Sequence, residues 1–154
     1  MEASGNFSLD PRLADEAIRA AGLPLCTILL RGEARFPWLV LVPRRAGAAE
    51  PWDLLPGDRT MLWSETERVG AALRAVTGAH KINLALFGNM VRQLHVHVVA
   101  RTEGDPAWPG SAIGLPREPY PPSGEGGGGA PAFWSALCDA LGLDDRPLSD
   151  RQSP

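Results

Sequence analysis

Cysteine is scarce in this chain of 154 residues: Cys26 and Cys138 are the only two, and each lies inside an apolar run. They read as reduced core thiols of a cytoplasmic protein, which leaves no disulfide framework to stabilise it. Long apolar runs are also absent, so no membrane partner is expected. Met1-Glu2-Ala3-Ser4-Gly5 shows no basic-then-apolar leader. A net charge of -3 gives no sign of a nucleic-acid polymer as partner, although a local basic patch can still meet a small anion. Histidine occurs three times, as His80, His95 and His97. No internal repeat is visible. Apolar residues make up 44% and charged residues 21%, the balance of one globular domain with a real core.

The expected domain spans residues 1–143. Asp10 and Pro11 look like the N-cap and first position of a helix running through Leu13, Ala17, Ile18 and Ala21, with Gly22 placed to end it. Leu25 to Leu30 and Trp38 to Val42 are apolar enough for two strands of an antiparallel meander, the second ended by Pro43 and followed by Arg44-Arg45. After a loop over residues 46–56, Leu62, Thr66, Val69, Leu73 and Val76 recur at helical spacing. Asp58 is the candidate cap and Gly78 the stop, and this longest helix must lay its stripe on the sheet. Residues 103–132 form a proline- and glycine-rich arm, Phe133 to Leu141 a short amphipathic helix, and 144–154 a disordered tail.

The informative stretch is Gln93 to Ala100. Its period of two puts Leu94, Val96, Val98 and Ala100 on one face and Gln93, His95, His97 and Val99 on the other. An aliphatic face is ordinary for a strand; two imidazoles side by side are not. Residues i and i+2 of a strand lie roughly 6.6 Å apart, so one phosphate can touch both rings. Lys81 to Phe87 alternates as well. If Gly88-Asn89-Met90 is the turn between the two segments, Phe87 pairs with Val91 and Asn83 stands opposite His95. Arg44, Arg45, Arg92 and Arg101 are candidate phosphate contacts that equally suit solvated strand ends. Trp108, between prolines, suits docking against the body.

The segment from Asn83 to Val99, with Gly88 and Val91 ahead of the Gln-Leu-His-Val-His-Val-Val run, resembles the histidine triad (HIT) nucleotide hydrolases and transferases. Phe36-Pro37-Trp38-Leu39-Val40-Leu41-Val42-Pro43-Arg44 is similar to that family's strand leading to a proline and a basic residue. The resemblance covers roughly residues 25–110. It implies an α+β fold: an antiparallel sheet of about five strands, one long packed helix and a short C-terminal helix. It also implies a homodimer. The sequence departs from the family pattern at Gln93, which holds the first triad position, and at Met90, where many members carry a small polar residue that contacts phosphate. The family's additional upstream histidine has no evident counterpart.

Carried over by resemblance, His95 is the nucleophile and His97 the last triad member. A neutral imidazole at His95 attacks the α-phosphorus of a dinucleoside polyphosphate or nucleotide phosphoramidate, and a nucleotidyl-histidine forms. His97, when protonated, donates a hydrogen bond or a proton. Gln93 orients a neighbour, and Asn83, Asn89, Gly88, Met90 and Arg44 are the candidate substrate contacts. A purine nucleotide is the expected partner, with no cofactor and no metal. Two rivals remain open: a binding module that kept the fold and lost part of the site, and a metal-dependent enzyme using the two histidines.

Overall fold

The computed structural model describes residues 5–121 and 130–145. The glycine run at 126–129 and the tail from 146 lie outside the described residues. Five strands, β1 (Ala17–Gly22), β2 (Cys26–Arg31), β3 (Trp38–Pro43), β4 (Lys81–Ala85) and β5 (Val96–Arg101), form one sheet. Its order is β1-β2-β3-β5-β4, with every neighbouring pair antiparallel. Three helices accompany it: α1 (Pro11–Asp15), α2 (Pro56–Thr77) and α3 (Ala132–Leu141). Among the described residues, no helix is long and apolar enough to cross a membrane.

The period-two pattern of β5 assigns the two sides of the sheet. Val96, Val98 and Ala100 join Ile28, Leu30, Leu39 and Leu41 under α2 and α3, where Leu62, Val69, Leu73, Trp134 and Leu137 complete the larger core. Val99 lies on the other side, in a second core with Leu29, Phe36, Trp38, Val40 and Val42. Among the described residues no long helix covers that core, and the short α1 reaches it only through Leu13. Phe7, Leu9 and Leu13 from the N-terminal segment cover it, with Ala107 and Ile113 from the arm. The central strands are therefore covered on both faces, the histidine face by the short α1 and irregular chain.

The long helix ends as its sequence predicts, with Gly78 at φ 68° in the left-handed region. Its start differs: Leu55 is the N-cap and Pro56 the first helical residue. Asp58 instead accepts from Arg45 Nε and Nη2, at 2.6 and 2.8 Å. Glu65, buried in the stripe, accepts from the backbone N–H groups of Leu25 and Cys26, both at 2.8 Å, and ties α2 to the start of β2.

The first predicted helix is a correction. Asp10 does cap it, accepting from Arg12 N, but the helix stops at Asp15 and residues 17–22 become edge strand β1. The free edge of β2 supplies backbone partners, and Ala20 and Ala21 are small enough to be fully buried there, one in each core. Local helical spacing loses to that ladder.

Between residues 105 and 117 the arm is fastened to the body at several points. Arg101, only 1% exposed, donates through Nε and Nη2 to Asp105 and through Nη1 to Gly110 O and Asn83 Oδ1, all at 2.8–2.9 Å. The rings of Phe36 and Trp108 lie 5.5 and 5.8 Å from its guanidinium. Further along, Arg35 reaches Pro116 O and Arg117 reaches Gly32 O.

Candidate active site

His95 stands one residue ahead of β5, and His97 is its second residue. Their ring centroids are 5.0 Å apart at 76°. The closeness predicted from the alternation is present, although His95 belongs to the loop over residues 86–95 and not to the ladder. Leu94 N donates to Ala48 O, which draws this loop away from β4 and toward residues 46–50.

Hydrogen bonds fix the tautomer of each ring. His95 Nδ1 is 2.7 Å from Gln93 O, and a carbonyl only accepts, so Nδ1 carries the proton. In the neutral ring Nε2 then holds the lone pair. No group among the described residues bonds that atom, and it is not buried. His97 is the mirror case. Trp38 Nε1–H, a donor only, lies 3.0 Å from His97 Nδ1, so the His97 proton is on Nε2. Burial first, then the neighbouring His95 and the Arg31 cation, hold His97 down to about 3. A protonated His97 is thus corrected to a neutral Nε2–H donor, because this ring is largely withdrawn from water.

His95 is only 6% exposed, yet its ring opens on empty space. It lines a cavity of about 40 Å³ with Gln93, Leu94, Leu86, Phe87, Gly88, Ala49 and Glu50. A larger cavity, about 360 Å³, shares Ala49, Glu50, Phe87 and Gly88 and adds Asn89 and Arg92. A narrow space at the imidazole thus adjoins a roomy, polar one.

Gly88 turns the loop at φ 73°, a value that strains any side chain. The backbone N–H groups of Gly88, Asn89 and Met90 make no hydrogen bond among the described residues. Met90 projects its side chain, 87% exposed, while its carbonyl accepts from Arg12 Nη1 at 2.8 Å. The expected pairing of Asn83 with His95 does not form. Asn83 pairs with Val99 and Ala85 with His97, because a long loop replaces the three-residue turn. The parity survives, so Asn83 remains on the histidine face, but its Oδ1 accepts from Arg101. Arg44 points to the start of β2, where it donates to Leu23 O, Pro24 O and Thr27 Oγ1. Phe87 does not pair with Val91 in the sheet.

The N-terminal segment engages both polar atoms of the Gln93 side chain. Its Nε2 donates to Ser8 O at 2.8 Å and its Oε1 accepts from Asp10 N at 2.9 Å. Two contributors went unread in the sequence. Trp38 looks like an aromatic core residue, and only its place at the head of an aliphatic strand sets it apart. The N-terminal segment 6–12 carried only a helix-cap signal. Among the described residues, no three His, Cys, Asp or Glu side chains are grouped so as to hold a metal ion. The two-histidine metal reading therefore lacks a third ligand there.

The model of the HIT domain matches residues 18–104. Among solved structures, the chain is similar to a histidine triad protein from Sinorhizobium meliloti, with 51% identity over 75% of this chain and 86% of that one, at a TM-score of 0.73. A histidine triad protein from Bradyrhizobium japonicum shares 41% identity over 76% of this chain and 88% of its own, at 0.74. One from Marinobacter aquaeolei shares 38% over 76% and 86%, also at 0.74. No curated protein matches.

Proposed function

The chain belongs to the histidine triad (HIT) family, and on that footing we propose that it is a nucleotide hydrolase or nucleotidyl transferase working through His95. The observation that carries this reading is the His95 tautomer: Nδ1–H is committed to Gln93 O, while Nε2 is unpartnered beside a cavity.

The step begins when the Nε2 lone pair bonds to the α-phosphorus of a bound nucleotide. The bond from phosphorus to the leaving group breaks, its electron pair departing with that group. The product is a nucleotidyl-histidine whose ring keeps the Nδ1 proton and gains positive charge, which Gln93 O helps to stabilise. Water or an acceptor then takes the nucleotidyl group and restores the neutral ring. His97 contributes its Nε2–H as a hydrogen-bond donor to a phosphate oxygen. The unbonded N–H groups of Gly88 and Asn89, at the lining of the larger adjoining cavity, favour an oxyanion there. Dinucleoside polyphosphates and nucleotide phosphoramidates both present this phosphorus, with a purine as the proposed base.

Incubation with an adenylate donor labelled at the α-phosphate tests the reading. Acid-labile label should attach to the protein and vanish in His95→Ala. Tight nucleotide binding without adduct or turnover would identify a binding module instead. A homodimer is also proposed. Among the described residues edge strand β4 has no partner on its outer side; Leu84 within it is about half exposed, as is Phe87 two residues past its end.

A further inference from the structure

The nucleophile is not held by the ladder of β5. His95 belongs to a loop, and its place depends on the tethers of residues 88–95. Leu94 packs in the larger core and its N–H donates to Ala48 O; the other long-range hydrogen bonds of the loop all run to one element, the N-terminal segment 6–15. Arg12 holds the Met90 carbonyl, and Gln93 holds Ser8 O and Asp10 N. Phe7, Leu9 and Leu13 anchor the segment on the histidine face. It is a strap on the histidine face of the sheet, stapled to the loop that carries His95.

Gln93 makes this staple because of its chemistry. One amide offers a donor and an acceptor on the same edge, and both are used, on either side of Leu9. These are the two backbone groups that a parallel strand would engage there. Neutral histidine also has one donor and one acceptor, but its ring nitrogens point apart and cannot grip both groups. The same residue's backbone carbonyl accepts from His95 Nδ1.

We propose that Gln93 is a positioning residue: its side chain latches the N-terminal strap, and through its own carbonyl that latch aims His95 at the phosphorus. The glutamine at the first triad position is then a gain of architecture and not a lost catalytic group. The proposal rests on His95 being the nucleophile, and two of its readouts need no turnover.

Gln93→His, which restores three histidines in sequence, is compared with Gln93→Glu, which keeps the acceptor for Asp10 N. In Gln93→His, trypsin cleavage after Arg12 in the folded protein should accelerate about 10–30-fold, the effect of losing two net hydrogen bonds. The ¹⁵N spectrum of His95 should change from a single Nδ1–H tautomer to a mixture. The turnover number should fall 10–100-fold, more than KM changes. Gln93→Glu should lie between Gln93→His and wild type in all three. A Gln93→His protein with a loosened strap but wild-type His95 tautomer and turnover would overturn the coupling, as would unchanged cleavage. If Gln93→His does not fold, Gln93→Glu decides by the same criteria. Failure of the wild type to form an adduct would defeat the proposed chemistry, while cleavage and tautomer would still decide the latch.

Discussion

Replacing Trp38 by phenylalanine probes the least expected contact at the site. Trp38 is 2% exposed, and its indole N–H is the partner of His97 Nδ1. Trp38→Phe keeps an aromatic ring but leaves that acceptor without a donor, at a cost of ~1–3 kcal/mol. The smaller ring leaves a void worth about 1–2 kcal/mol more, since neighbours such as Val40 and Phe36 are packed from the sheet side. The Arg31 guanidinium, 4.2 Å from the indole, also loses part of its attraction. The sum is ~2–5 kcal/mol, which for a domain of this size lowers Tm by roughly 5–15 °C. His97 can recover part of the loss by moving its proton to Nδ1, and Nε2 then ceases to donate toward the phosphate. Thermal unfolding measures the first effect, ¹⁵N-detected NMR of the imidazole the second, and steady-state kinetics a 10–100-fold fall in turnover. A Trp38→Phe protein that unfolds within about 2 °C of wild type, with His97 still a single Nε2–H tautomer, would refute this account of the bond.

His97 should also make the protein acid-sensitive. Its pKa in the fold, about 3, lies below the value of 6.5 for a free ring, so the unfolded chain takes up a proton that the folded one refuses. The resulting stability is complete above about pH 6.5 and is lost as pH falls toward 3, with a slope approaching ~1.4 kcal/mol per pH unit. Urea unfolding of His97→Asn between pH 7 and 4 should show that slope reduced by one proton, and an unchanged slope would place the effect elsewhere. Asp105→Asn strips the buried Arg101 of its countercharge and should cost ~3–5 kcal/mol in denaturant unfolding; a loss under about 1 kcal/mol would mean that Asn83 and Gly110 alone suffice. Sedimentation analysis should give twice the chain mass, and Leu84→Glu with Phe87→Glu should return it to one.

Much of the site was legible because alternation is a local property. The face carrying His95 and His97, the stripe from Leu62 to Leu73 and the stop at Gly78 all follow from short-range geometry. The register of Asn83 was not legible, since it depends on whether residues 86–95 turn tightly or bulge toward Ala48. Residues 17–22 were misread for a similar reason: they are a strand only because β2 lies beside them.

The sequence by itself determined that two imidazoles come together on one side of an extended segment, since side chains alternate on any extended chain. Tertiary structure alone decided what those imidazoles are. Trp38 and Gln93 O set the proton positions of the two rings, and burial keeps His97 neutral. These groups reach the rings through strand pairing and loop packing, and a tautomer depends on which donor or acceptor lies 3 Å away, not on what is adjacent in the chain.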